Sequence, residues 1–166
     1  MRAHHAQVGN RGATERPVVV RPARAGESDL VAELHAATAT VAYAHIYRGQ
    51  PFPMERTRER WRSFDGRVAI AEDSGRAVGF TAFDDDELHA LYVLPAHWGR
   101  GIGNSLLAAA GSVSRLWVIE ANVRARRFYE RHGWRSDGAV RYAFGVPEVR
   151  YRSAEAPAAG VRQTPQ

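Results

Sequence analysis

Two stretches of this chain combine residue types and spacings that could do chemistry. The first runs Leu91-Tyr92-Val93-Leu94-Pro95-Ala96-His97-Trp98-Gly99-Arg100-Gly101-Ile102-Gly103-Asn104. A strand-like apolar run leads through a tight turn into three glycines at alternate positions, where a Leu/Ala-rich helix begins. Glycine lacks Cβ, so an anion can approach successive backbone amides closely, and the helix N-terminus adds a favourable dipole. A diphosphate is the natural ligand of such a turn. The dinucleotide fingerprint G-x-G-x-x-G fails because its last place falls on Asn104 or Leu106, and the Walker pattern fails for want of lysine. The second stretch is Asn122-x-x-Ala125-x-x-Phe128-Tyr129-Glu130-x-x-Gly133-Trp134. It reads as a helix capped by Asn122 and stopped by Gly133, with Phe128 in the core and Tyr129 half buried.

Composition narrows what those residues can do. All 23 cationic side chains among the 166 residues are arginine, and the chain has neither lysine nor cysteine. Schiff bases, thiol nucleophiles, disulfides, iron–sulfur clusters and cysteine-type zinc sites are therefore excluded. Transfer chemistry must use hydroxyls, carboxylates, imidazoles or backbone dipoles. His4 and His5 are adjacent, without the partner spacing that a metal site needs. Net charge +5 suits an anionic ligand or simple solubility. Without the tails, the remaining arginines and acids are nearly balanced, so no nucleic-acid partner is expected. No apolar run is long enough for a membrane span and no signal-like stretch opens the chain, so a cytoplasmic protein is expected.

The elements that must position these residues can be read from periodicity. Residues 1–16 and 153–166 lack apolar period and are expected to be disordered tails around one domain, 17–152. Val18–Val20 reads as a strand, followed by a helix with Ser28 as its N-cap. Tyr43–Pro53 is a loop or bent helix, and Met54–Phe64 a helix whose arginines alternate with Glu55 and Glu59 on a solvated face. Val68–Glu72 and Ala77–Phe83 flank Asp73-Ser74-Gly75-Arg76, a hairpin turn. Glu87–Val93 and Arg115–Glu120 are strands on either side of the glycine turn and its helix. Helix Val123–His132 and strands Arg141–Phe144 and Glu148–Arg152 complete a mixed α/β sheet with a parallel crossover in its middle.

With these elements in order, the two stretches resemble the GNAT acetyltransferase superfamily. Its pattern V-x-P-x-x-[RQ]-G-x-G-x-[GA] falls on Val93–Gly103, and N-x-x-A-x-x-F-Y-x-x-x-G-F on Asn122–Trp134, within a likeness covering residues 18–152. The resemblance implies a mixed, mostly antiparallel central sheet flanked by helices, in which a splayed parallel strand pair opens a cleft for acetyl-coenzyme A, with no metal. It implies that the pantetheine arm pairs with Leu91, Tyr92 and Val93, the Val93 amide polarising the acetyl carbonyl. Trp98, Gly99, Arg100, Gly101, Ile102, Gly103 and Asn104 would hold the pyrophosphate through main-chain amides. Asn122 would contact the pantetheine amides, and Tyr129 would sit by the sulfur. Trp98 stands where the family has Arg or Gln. Only ten residues separate Gly103 from Ser114, so a short helix is expected there.

The implied activity is acetyl transfer from acetyl-coenzyme A to a primary amine of a small molecule or peptide; a non-catalytic acyl-coenzyme A sensor of the same fold is the alternative. An alkyl ammonium has a pKa near 10.4, so a proton must be removed before attack. Without cysteine, attack is direct, in a ternary complex. Glu87 and His89 share a strand face by the period of two, and either could relay the proton through water. Tyr129 could protonate the departing thiolate. Tyr43 and Tyr47, with His45 and Phe52, lie where the family varies its acceptor pocket. Arg124, Arg127 and Arg131 share one helix face and with Arg100 could meet the ribose phosphate. A homodimer is compatible with all of this.

Overall fold

The structure is a computed structural model and describes residues 18–154 apart from 48, 50 and 144. The expected tails therefore lie outside the described residues except at 153 and 154. Seven strands form one sheet in the order β1-β2-β3-β4-β5-β7-β6. They are β1 (Val19–Pro22), β2 (Arg67–Asp73), β3 (Arg76–Phe83), β4 (Glu87–Val93), β5 (Arg115–Ile119), β6 (Trp134–Ala143) and β7 (Val146–Ser153). Every neighbouring pair is antiparallel except β4 and β5, which are parallel. The helices are α1 (Ser28–Ala42), α2 (Ala44–Tyr47), α3 (Met54–Arg62), α4 (Ile102–Ala109) and α5 (Val123–Arg131), with a single 3₁₀ turn at Pro95–His97. No described helix is long and apolar enough to cross a membrane.

Alternation along the central strands sorts the core into two faces. Ile70, Phe80, Ala82 and Ala90 pack with Val31, Leu34 and Trp61 under α1 and α3. Ala71, Val78 and Val93 pack with Ile102 and Leu106 of α4. Leu116, Val118, Val149 and Tyr151 meet Tyr129 of α5 on that second face. Side chains two apart along a strand share a face, so the alternating small and large apolar residues of β2 and β3 fill both layers.

The β2–β3 turn behaves as its sequence demands. Ser74 and Gly75 both have positive φ, 53° and 79°, the conformation of the two-residue hairpin turn whose twist suits its strands. Several boundaries differ from expectation by a few residues, three of them for visible reasons. Ser28 is the first helical residue rather than the cap, because Glu27 takes the N-cap position. The Glu27 carboxylate accepts the Arg24 N–H at 2.6 Å and two Arg21 N–H groups at 2.8 Å, which turns the chain into the helix one residue early. Helix α3 ends at Arg62, two residues short of Phe64. Strand β6 starts at Trp134, immediately after the α5 stop, and absorbs a register shift between Ser136 and Val140. Its largely exposed residues concealed that length from an apolar count.

One titratable group is built into the face under α1. His35 stacks on Tyr92 with ring centroids 4.5 Å apart, and its Nδ1 accepts the Trp61 indole N–H at 3.1 Å. Burial, helped by the charge of Arg60, lowers its pKa to about 4. Because the unfolded chain protonates His35 near pH 6.5 and the native state only near pH 4, stability is retained above pH 6.5 and lost as pH falls from 6.5 toward 4. The full loss is on the order of 3 kcal/mol. His35→Gln retains an acceptor for the Trp61 indole but cannot titrate. Urea unfolding between pH 7 and pH 4 is expected to show a clearly shallower pH slope for this variant than for the wild type.

Candidate functional site

Strands β4 and β5 pair only at Glu87↔Arg115 and Leu88↔Leu116 and then part. Beyond Leu88 their facing backbones enclose a gap that opens toward the glycine turn. Leu94 donates its N–H to Val78 O at 2.8 Å, which fixes the alternation of the β3–β4 ladder. Residues of even number on this stretch bond to β3, and the N–H and C=O of Leu91 and Val93 turn toward the gap. Tyr92, between them, points its ring into the core under α1.

The indole N–H of Trp98 donates to Val93 O at 2.6 Å, so this side chain folds back on the strand end. The Arg124 guanidinium lies over the same ring, 3.7 Å from its centroid. Trp98 therefore ties the end of β4 to the first turn of α5, across the gap, where an Arg or Gln would carry a free polar tip. Its backbone N–H bonds to Pro95 O, and that of Asn104 to Gly101 O. Among the described residues, no amide from Gly99 to Gly103 donates to a backbone carbonyl in a turn or cap. Consecutive amides without such a partner are an arrangement that an anion can approach.

Gly99 and Gly101 both have φ of 78°, a region that side chains with Cβ rarely adopt. A Cβ on Gly103 would come within 3.2 Å of the Phe128 ring, so any side chain there would press the first turn of α4 against α5. Ile102 is buried in the core beneath this turn. Arg100 donates to Asp73 at 2.7 Å, and the ring of His97 stands 3.7 Å from the same carboxylate, so the β2–β3 hairpin anchors the loop from outside. Helix α4 is short, eight residues, as the spacing to Ser114 requires.

At the mouth of the gap, α5 meets the end of α1. Asn122 Oδ1 accepts the Ala125 N–H at 3.1 Å as the helix cap, and its Nδ2 donates to the Tyr43 hydroxyl at 3.4 Å. Tyr129, 7% exposed, packs against Phe128 and Trp134. Burial raises its pKa, and Tyr43 adds to the effect. The phenol is held protonated, as a proton donor requires, and two tyrosines from opposite sides of the sheet converge here. Tyr47 closes α2, and its side chain lies outside the described residues. Arg127 and Arg131 line a surface depression with Glu130, Arg135 and Ser136, one helix turn away from Arg124.

Glu87 and His89 sit at the closed end. A β-bulge at the β3–β4 ladder, where Ala82 pairs with Ala90 but Phe83 pairs with Leu88, leaves His89 as the extra residue. The bulge switches faces: Leu91 and Val93 point toward α4, whereas His89 meets the Phe64 ring at 5.3 Å on the α3 side. Glu87 is bound to Arg115 at 2.9 Å. His89 Nε2 lies 2.6 Å from Asp84 Oδ2, and its Nδ1 3.5 Å from Glu87 Oε1. Asp84 was legible only as part of an acidic run. The available signal was its place immediately after a hydrophobic strand, heading a turn: its Oδ1 accepts the N–H groups of Asp86 and Glu87 at 2.8 and 2.7 Å, the hydrogen-bonding habit of aspartate at turns.

The acetyltransferase (GNAT) domain family matches this chain over residues 64–136. An uncharacterised N-acetyltransferase of Archaeoglobus fulgidus is 37% identical over 115 residues, 52% of this chain and 78% of its own length. Among solved structures, apo YjaB of Escherichia coli has a similar fold, with a TM-score of 0.68 at 20% identity, covering 85% of this chain and all of that one. The paiA N-acetyltransferase of Thermoplasma acidophilum, solved in complex with coenzyme A, has a TM-score of 0.66 at 19% identity over 81% of this chain and 98% of that one.

Because Asn122 serves the helix cap through one atom and Tyr43 through another, the two roles can be separated. Asn122→Ala is expected to cost about 1 kcal/mol in urea unfolding, and Asn122→Asp, which retains the cap acceptor, a small fraction of that.

Proposed function

Because the chain belongs to the GNAT acetyltransferase superfamily, we propose that it is a cytoplasmic N-acetyltransferase that passes the acetyl group of acetyl-coenzyme A directly to a primary amine of a small molecule or peptide. The observation that carries this reading is the gap between β4 and β5, into which the Leu91 and Val93 amides turn, followed along the chain by a glycine turn whose amides have no turn or cap partner. An extended pantetheine arm can pair there as an added strand while the pyrophosphate meets Gly99–Gly103. The coenzyme A in the complex of the Thermoplasma relative supports the choice of thioester.

The chemistry follows from the groups around the gap. The amine reaches the site largely as an ammonium and must lose a proton. His89 takes it, through a water, since His89 and Leu91 are only about 7 Å apart along the strand. Glu87 is committed to Arg115 and acts through its charge, stabilising the protonated imidazole beside it. The nitrogen lone pair attacks the thioester carbonyl, whose oxygen is stabilised by an inward amide of β4. The nitrogen, cationic after attack, releases its second proton to solvent water as the carbon–sulfur bond breaks and the amide completes, and Tyr129 gives its proton to the departing sulfur. The buried phenol recovers that proton from solvent through the mouth shared with Tyr43.

The test is purified protein with acetyl-coenzyme A and a panel of amines, read as released thiol. Turnover with at least one amine is expected. Tyr129→Phe retains the ring and loses the proton, and should lower kcat by roughly 10- to 1000-fold while leaving acetyl-coenzyme A affinity within about twofold. Binding of acetyl-coenzyme A without thiol release for any amine would instead assign the chain as an acyl-coenzyme A sensor. Unchanged kcat in Tyr129→Phe would remove Tyr129 from the mechanism.

A further inference from the structure

We infer that Asp84 is a positioning residue: from the β3–β4 turn it holds His89 in the tautomer that carries its proton on Nε2, so that Nδ1 is the nitrogen that accepts the proton of the acceptor amine. This rests on the acetyltransferase reading above and adds a residue to it.

The argument begins with the turn. Asp84 opens the turn leading into β4, its N–H donating to Glu87 O at 3.0 Å. Its Oδ1 is held by the N–H groups of Asp86 and Glu87, which leaves Oδ2 facing His89 Nε2 at 2.6 Å. Burial works against the charge of Asp84, but the hydrogen bonds from His89 and from those two amides outweigh it and lower its pKa to about 2. An ionised carboxylate only accepts hydrogen bonds. Nε2 must therefore be the donor, and in the neutral ring the lone pair belongs to Nδ1.

The surroundings suit a base at Nδ1. The bulge at His89 turns the ring to the α3 side, where the Phe64 edge fixes its plane. The charged groups facing it are Asp84 and Glu87 from the turn and β4, and Arg115 from β5, which is paired to Glu87 and lies 3.7 Å from Asp86. Arg67 of β2 is engaged with Asp84 O and Asp85. When Nδ1 gains a proton, the imidazolium stands between two carboxylates, 2.6 and 3.5 Å away, so the arrangement favours the state formed during the reaction. Without Asp84, the ring could carry its proton on Nδ1 instead, and the nitrogen facing the amine would have no lone pair to offer.

Asp84→Asn separates this role from a structural one. The amide oxygen can still accept the Asp86 and Glu87 N–H groups, but its NH₂ now faces Nε2 and forces the proton onto Nδ1. The loss expected for a histidine base held in the wrong tautomer is about 10²- to 10⁴-fold in kcat, with the KM for acetyl-coenzyme A unchanged. Two readouts are taken on the full chain. Imidazole ¹⁵N shifts, assigned to His89 by comparison with His89→Gln, should show the proton on Nε2 in wild type and on Nδ1 in Asp84→Asn. Melting temperatures of the two proteins should agree within a few degrees. A wild-type ring protonated on Nδ1, or an Asp84→Asn enzyme with wild-type kcat, overturns the inference. The ¹⁵N arm decides how Asp84 holds the ring even if no amine is acetylated, an outcome that would sink the acetyltransferase reading by itself.

Discussion

The parting of β4 from β5 after two residue pairs is the constraint on which the rest depends. Parallel strands that remained paired would consume the amides of Leu91 and Val93 in the ladder, and no extended ligand could use them. The separation is set from both ends. At Glu87–Leu88 the strands are pinned by their two backbone pairs and by the Glu87–Arg115 ion pair. Farther along, β4 is held to β3, and β5 turns with β7, whose register runs the full length of β5. The gap between them is the consequence, and α4 and α5 close it from one face.

Arginine alone carries the positive charge of this chain, and three arginines tether the parts that form the gap. Arg100 ties the glycine turn to Asp73, Arg115 fixes Glu87, and Arg124 stacks on Trp98. Each uses the planar, directional guanidinium as a lysine could not. Arg150 and Arg152 share Asp137, which stiffens the β6–β7 hairpin. What stays available to an anion around the gap is mainly backbone amide.

The sequence made the fold and the glycine turn legible because both depend on short-range signals. Alternating apolar residues, the Ser74-Gly75 turn, the Asn122 cap and the glycines at 99, 101 and 103 each have a local physical cause. What escaped depended on contacts between distant parts. The bulge at His89 needs the β3 register to be seen: the period of two holds for Glu87 and His89, 3.5 Å apart, but breaks before Leu91 and Val93, which the structure puts on the opposite face. The pairing of Glu87 with Arg115 spans 28 residues, and no local pattern announces it. Trp98 was legible as a departure from the family pattern, but its bond to Val93 O required the folded turn.

Backbone amide resonances report most directly on whether the gap holds the thioester. Titration of ¹⁵N-labelled protein with acetyl-coenzyme A is predicted to move the Leu91 and Val93 amides downfield, as new hydrogen bonds form, together with the amides of Gly99, Gly101 and Gly103. The Tyr92 amide, bonded to β3, should move much less. Saturable shifts confined to residues away from β4 and the glycine turn, or no shifts at millimolar ligand, would contradict the account.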